Sequence, residues 1–408
     1  MKTQVASANS ESTARGAVRL YYLDWLRVLA ILTVFVYHST RFFNMEDWHV
    51  KNPAWYPAVE VWNVFAGTWM MPLIFVISGA SLFYAVGKGG AGKFVKDKTL
   101  RLLVPLLVGV FTHASLQVYL ERFTHGQFSG TYFQFLPQYF NGFYEGGNPA
   151  SGNFALTGMH LWYLWWLFLF SILLYPLLCW LKGGGQRVLS RLGDGLALPG
   201  VVYLLALPIL LLQMFVDPGD PIMAKKEAGW YLVIYLWLLL SGFVVVSHAG
   251  VQASIRQLRW PSLALVVVLM GAYLFLVFQP APATFGTPLH ALISTLRGLS
   301  AWCCVLAALG MGMRYLNFST PFLTYANEAV LPFYILHQTV LLSVGYFVVQ
   351  WPIPDLLKWA IILVTSLAII MMIYECLIRR FNVMRFLFGL KPLRKQPAAR
   401  SQEAFLPR

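Results

Sequence analysis

A chain of 408 residues with 58% hydrophobic and only 11% charged side chains falls outside the composition of soluble domains, where about a quarter of residues are charged. Lipid is therefore its expected solvent. The formal net charge of +14 does not point to nucleic acid, because the basic residues are scattered over many short loops rather than gathered in one folded domain. Cys179, Cys303, Cys304 and Cys376 all lie in long apolar runs, which argues against a disulfide framework or a thiolate metal cage.

Residues 1–19 read as a polar, Ser-rich cytoplasmic tail. The apolar segment after them is too long for a signal-peptide core and lacks a small-residue cleavage site, so it is expected to stay as the first helix. A hydrocarbon core of about 30 Å needs roughly 20 apolar residues per helix. Segments of that kind fall near 21–42, 57–86, 101–121, 159–181, 197–216, 229–248, 261–279, 289–312, 323–349 and 355–378. The fold class predicted is an all-α, polytopic transmembrane bundle of about ten helices, with a membrane domain over 20–391 and a basic cytoplasmic tail over 392–408.

Orientation follows from the basic residues. With the N-terminus inside, only Arg41, Lys51, Arg122, Lys225, Lys226 and Lys358 face outward, while Arg27 and Arg297 lie within spans and the other Lys and Arg residues face inward. Such a bias predicts both termini in the cytoplasm. The longest outer connection, 122–158, is rich in Phe, Tyr, Gly and Asn; it reads either as a carbohydrate platform or as an interfacial aromatic belt. RRFNVMRFLFGLK, after the last span, alternates basic and apolar positions like a short helix in the inner interface. No repeat of 20 to 50 residues is visible, which disfavours inverted-repeat transporters.

Ionisable side chains within spans are costly and so are functional candidates. The first span, YYLDWLRVLAILTVFVYHSTRFF, carries Asp24, Arg27 and His38. Arg27 and His38 are separated by almost three whole turns, so both project from one face about 16 Å apart. Asp24 and Arg27 are spaced for a neighbouring ion pair. A stripe of this kind suits an anion at Arg27 and a base at His38; interfacial anchoring is the plainer reading. In the ninth span His337 follows Pro332, which is expected to kink or interrupt the helix, and Glu328, Tyr334 and Gln338 accompany it. A cavity-lining role or an ordinary interhelical hydrogen bond both fit His337. Arg297, in the eighth span, needs an anionic ligand or a carboxylate partner, for which Glu60, Glu328 and Glu375 are available.

Several signals fail. The run Gly87-Lys88-Gly89-Gly90-Ala91-Gly92-Lys93 imitates a phosphate-binding loop, but Phe94 stands in place of the metal-binding hydroxyl and an apolar span in place of the preceding strand. Ser78 and Ser81 lack a nucleophile elbow, and the small residues of ISGAS suit close helix packing instead. The histidines show no metal-ligand spacing, so no metal is expected.

An Arg, ten intervening residues and a His in the first helix resemble the signature of the acyltransferase family 3 membrane proteins. MMPLIFVISGASLFY, KTLRLLVPLL, HLWYL and NEAVLPFYILHQTVL agree in order. The last block, with the closing YECLIRRFNVMRFLFGLK, is most similar to the glucan biosynthesis protein C branch, the periplasmic glucan succinyltransferases. The resemblance implies a multi-pass enzyme of the bacterial inner membrane, in which an acyl group passes from cytoplasmic acyl-CoA, succinyl-CoA or acetyl-CoA, to a hydroxyl of an extracytoplasmic glycan. It makes Arg27, His38 and His337 the catalytic candidates. Asp24, Tyr37, His160, Trp162, Tyr163, Arg297, Glu328, Tyr334 and Gln338 join them as substrate-binding candidates, with Tyr37, Tyr163 or Tyr334 available to a covalent acyl intermediate. Lys98 and Arg101 stand where the family often has Arg-x-x-Arg and are candidates for the donor phosphates; Lys keeps the charge without the planar fork. The rival readings are a secondary transporter, a scaffold subunit, and a membrane acyltransferase acting on lipid or protein.

Overall fold

Inside lipid a single segment satisfies its own backbone donors and acceptors only as a helix, and the computed structural model is helical nearly throughout. It describes residues 20–146, 148, 150–280 and 283–393. The tail predicted over 1–19, and all but the first two residues of the one over 392–408, lie outside the described residues.

In chain order the elements are α1 (Tyr21–Thr40, continued by a 3-10 turn at Arg41–Phe43), α2 (Pro57–Ala85), α3 (Ala91–Thr124), α4 (Tyr132–Tyr139) and α5 (Met159–Lys182). Then follow α6 (Gln186–Ala197), a 3-10 turn (Val201–Ala206), α7 (Leu207–Phe215), a hairpin of β1 (Lys226–Glu227) and β2 (Trp230–Tyr231), α8 (Leu232–Ser247) and α9 (Ala249–Gln257). The chain closes with α10 (Arg259–Val277), α11 (Pro288–Tyr315), α12 (Pro321–Val348), α13 (Asp355–Ile378) and α14 (Asn382–Leu387).

Eight of these helices, α1, α2, α3, α5 and α10 to α13, are long and apolar enough to cross a membrane. The fifth and sixth predicted spans are different. Each is one limb of a bent pair, with α6 set at 113° to Val201–Phe215 and α8 at 102° to α9. Pro199 and Gly200, the latter at φ +79°, break the first pair, and extended backbone at His248 breaks the second. The α8 limb rises about 24 Å, short of a hydrocarbon core of about 30 Å. Eight spans are thus single helices, and the two bent pairs, counted as one span each, make up the expected ten. The glycine-lysine run after α2 is a turn with positive φ at Gly87 and Gly89, and α3 begins at Ala91. A helix precedes it where a phosphate-binding loop needs a strand.

The chain forms two units, one from the residues up to Phe94 with Leu169–Val330, the other from Val95–Phe168 with the residues from Leu331 onward; α3, α5 and α12 contribute to both. In the first unit α2 packs against α1, α8 and α11. The α2–α8 contact is backbone to backbone. A methyl group at Gly79 would lie 1.8 Å from the Leu239 carbonyl oxygen, and one at Gly242 would lie 1.9 Å from that of Val76. The ISGAS run therefore serves close packing, as small residues do in membranes. Lys182 Nζ donates to the carbonyls of Phe83 (2.8 Å) and Val86 (2.9 Å), closing the C-terminal end of α2 where a cation is favoured.

In the second unit α3 carries two π-helical turns, Thr99–Leu103 and Val110–Ala114. The long outer connection folds on itself. Thr131 and Gln134 form a capping box at the start of α4, and Phe135, Tyr139 and Ala155 pack with Ala114 and Val118 of α3. Arg122 holds the return strand through Asn153 Oδ1 (3.0 Å), Gln127 Oε1 (2.6 Å) and the Gly152 carbonyl (3.1 Å). The Tyr139 hydroxyl, pushed up to about 12 by burial, donates to the Val110 carbonyl in the second π turn. Phe133, Phe140 and Phe143 stay exposed. The predicted basic-apolar helix after the last span is α14; Gly389 follows it at φ +70°, where a methyl group would lie 2.7 Å from the Arg101 carbonyl oxygen.

Candidate active site

A guanidinium within a membrane helix must find partners or an anion, and Arg27 finds partners on three helices of the first unit. Its Nη1 donates to Asp24 Oδ1 and to Asn327 Oδ1, both at 3.0 Å, and its Nη2 to Ser81 Oγ at 2.9 Å. The Asp24–Arg27 pair is the one the helical spacing predicts. Ser81, set aside from sequence only as a nucleophile, and Asn327, not singled out, belong to the ISGAS and NEAVLP blocks, so one side chain ties three motifs together. The guanidinium is part-exposed, and its Nε–H and second Nη2–H have no hydrogen-bond partner among the described residues. An edge remains for a phosphate or carboxylate. Glu328 follows Asn327 on α12, with its side chain half-buried.

His38 lies eleven residues further along the same helix, about 16 Å away by helical rise. Tyr37 meets it edge-on at 5.2 Å, and Trp48 stacks over it at 6.1 Å with the ring planes 17° apart. Trp48 sits on the segment between α1 and α2, which sequence reading left unassigned. Lys51 organises that segment, donating to the carbonyls of Arg41 (2.8 Å), Asn44 (2.6 Å) and Glu46 (2.9 Å) and to Asn44 Oδ1 (2.9 Å). Burial, then the charge of Arg41, brings the Lys51 ammonium down to about 8. Arg41 pairs with Glu46, and Glu60 Oε2 accepts from the Met45 amide at 3.1 Å. Tyr37 and His38 thus sit under an ordered cover rather than at a bare helix end. The imidazole is half-buried beneath it.

The second unit gathers a separate polar group from α3, α5 and α12. His160 Nε2 lies 3.1 Å from the Ile335 carbonyl and its Nδ1 lies 3.2 Å from Gln117 Nε2. A carbonyl only accepts, so the His160 proton belongs on Nε2 and Nδ1 receives the Gln117 amide. Gln117 also donates to Thr339 Oγ1 (2.6 Å) and accepts from Gln338 Nε2 at 3.1 Å. Tyr334 OH donates to the His160 carbonyl, and His337 Nδ1 donates back to the Tyr334 carbonyl at 2.6 Å. His337 is fully buried against the rings of Phe333, Tyr334 and His160. Of the kink or interruption expected at Pro332, the interruption does not occur: α12 runs through it as one helix. Tyr163 stacks edge-on to Tyr334 at 5.8 Å, while Trp162 is half-buried in the first turn of the same span. Gln117 and Thr339 were missed because nothing in their spacing marks them; only the packing of three distant helices does. Lys98 and Arg101 sit at the first π turn of α3, with Arg101 exposed; such turns recur at functional sites.

Arg297 does not make the carboxylate pair that sequence reading offered it. Glu375 pairs with Arg379, Glu60 is engaged by Met45, and the Arg297 guanidinium lies 4.3 Å over the Trp230 ring instead. Among the described residues no cluster of three or more His, Cys, Asp or Glu could hold a metal ion.

The fold is that of a multi-pass helical membrane protein with a polar Arg-to-His stripe on its first span, and comparison with known proteins supplies the family. The acyltransferase domain of acyltransferase family 3 matches residues 20–375, and the chain belongs to that family. It is similar to glucans biosynthesis protein C of Salmonella schwarzengrund (strain CVM19633), Salmonella agona (strain SL483) and Salmonella dublin, in each case 20% identical over 93% of this chain and 97% of the relative. No solved structure matches it.

Proposed function

We propose that the protein transfers an acyl group, succinyl or acetyl, from cytoplasmic acyl-CoA to a hydroxyl of an extracytoplasmic glucan or other glycan across the bacterial inner membrane. The observation that carries this reading is the placement of Arg27 and His38 on one helix, the first with an edge for an anion and the second under the Trp48 cover. The basic-residue bias puts Arg27 toward the cytoplasm, where coenzyme A exists. In this scheme Arg27 orients the donor and His38 takes the proton of the acceptor hydroxyl, a step worth about 10² to 10⁴ in rate. His337 acts indirectly, by holding Tyr334. The test is mass spectrometry of extracytoplasmic glycans from cells with and without the gene, supported by reporters fused near Lys88 and after residue 148. A glycan mass gain of one succinyl or acetyl group, with Lys88 inside and residue 148 outside, is expected. Unchanged glycans, or residue 148 inside, remove the scheme.

The two bent helix pairs favour one second reading, because broken helices are also how transporters build midplane sites. A transporter moves its substrate without covalent change, and the same glycan comparison separates the two.

A further inference from the structure

The β1–β2 hairpin turns through Ala228 and Gly229, both at positive φ (+45° and +77°), as a two-residue hairpin of the primed type requires. Alanine adopts such a φ only against steric strain, and strained positions of this kind cluster where a ligand is held. The turn presses on Arg297: a methyl group at Gly229 would lie 2.8 Å from Arg297 Nη2. Beside it the guanidinium covers Trp230, and Lys226 Nζ lies 4.5 Å over the Tyr231 ring. Neither cation makes an ion pair among the described residues, and the buried Nε of Arg297 has no hydrogen-bond partner. Glu227 of the hairpin acts on the Tyr235 hydroxyl and Asp217, whose Oδ1 accepts from the Gly219 amide, on that of Tyr231. Burial, then the charge of Arg297, holds the Lys226 ammonium below its usual range. Two neighbouring cations, neither held in an ion pair, repel each other, and a bound oxyanion relieves that repulsion.

The location matters. Trp230 Nε1 donates to the Gly67 carbonyl at 3.3 Å, a methyl group at Gly67 would touch Tyr37 at 4.0 Å, and Tyr37 meets His38. At the other end of α11, Gly312 packs on Leu26 and Tyr22 beside Arg27, about 22 Å along the helix from Arg297. Arg297 is therefore at the His38 end of the first unit. We infer that Arg297 and Lys226, framed by Trp230 and Tyr231, form an oxyanion subsite that takes a carboxylate or phosphate carried by one of the two transfer substrates. Its assignment to a transfer substrate rests on the acyl-transfer reading of His38.

The test is thermal unfolding of the purified full-length protein in detergent with monomethyl succinate or glycerol phosphate, set against neutral dimethyl succinate and glycerol. One of the anions is expected to stabilise the wild type. Lys226→Gln, at an exposed position, is expected to weaken that anion about tenfold, the loss of one charged contact, and Arg297→Gln to abolish its effect. A response to monomethyl succinate places the anion on the acyl group; a response to glycerol phosphate alone places it on the acceptor. No shift with either anion, or a shift in both variants equal to that of the wild type, overturns the subsite. Because the readout is binding, a protein that takes the anion yet transfers no acyl group keeps the subsite and loses only the acyl-transfer reading.

Discussion

Arg27 Nη1 lies 3.0 Å from Asn327 Oδ1, a hydrogen bond between residues 300 positions apart. With the bonds to Asp24 and Ser81, it makes one guanidinium the point where α1, α2 and α12 meet. Arg27 is thus structural on one edge while the other is open to an anion, and its variants must be read for both effects.

Lysine at position 27 keeps the charge but cannot reproduce the planar set of donors. Arg27→Lys is expected to lose about 1–3 kcal/mol of stability through the stranded partners. It is also expected to weaken acyl-CoA binding about tenfold while leaving the acceptor's apparent affinity near that of the wild type. An Asp24→Asn, Arg27→Lys double variant separates the loss of the ion pair from the loss of the fork. Calorimetry showing undiminished donor binding to a folded Arg27→Lys protein, with only acceptor kinetics altered, would reverse the proposed polarity of the site.

His38 makes ring contacts with Tyr37 and Trp48 at the edge of a half-buried site, so little packing depends on it. His38→Ala is expected to cut turnover by about 10² to 10⁴ with the unfolding midpoint in detergent nearly unchanged. Turnover close to wild type in the purified variant would exclude the general-base role.

His337 contrasts with His38, being fully buried between rings and bonded to the Tyr334 carbonyl. His337→Ala leaves a cavity among the rings and is expected to cost about 2–4 kcal/mol. Activity should fall together with stability, and His337→Gln, which restores a donor, should recover part of both. An Ala variant of undiminished stability that has lost all turnover would assign His337 a direct chemical role instead.

At Gly79 the α8 backbone leaves no room for a side chain. Gly79→Val is expected to cost about 3 kcal/mol or more, because a packed helix pair must separate to admit it. Gly271, where a methyl group would meet nothing within 4 Å, is the control: Gly271→Ala should leave the unfolding midpoint unchanged or slightly raised.

How much was legible in the sequence varies with the range of the interaction. The Asp24–Arg27 pair and the close packing of ISGAS follow from helical spacing and residue size, and both are present. Of the two readings open for Arg297, an anionic ligand or a carboxylate partner, no carboxylate pair forms among the described residues. Sequence reading could offer only Glu60, Glu328 and Glu375, whereas the hairpin, built from only four paired residues, delivers an aromatic face. The fifth and sixth spans are present as bent pairs; hydropathy places their apolar residues without registering that Pro199, Gly200 and His248 redirect the axis.

Composition and periodicity determined by themselves that this is a multi-pass helical protein, because lipid forces every spanning segment to satisfy its own backbone. The first helix likewise announced its Arg-to-His stripe, because a helix fixes the relative direction of residues eleven apart. Only the tertiary structure decided which distant residues answer those side chains: Ser81 and Asn327 for Arg27, Trp48 for His38, Gln117 for His160 and Trp230 for Arg297. The physical reason is that such partners are chosen by how separate helices pack, and a single polar residue on each carries no periodic signal along the chain.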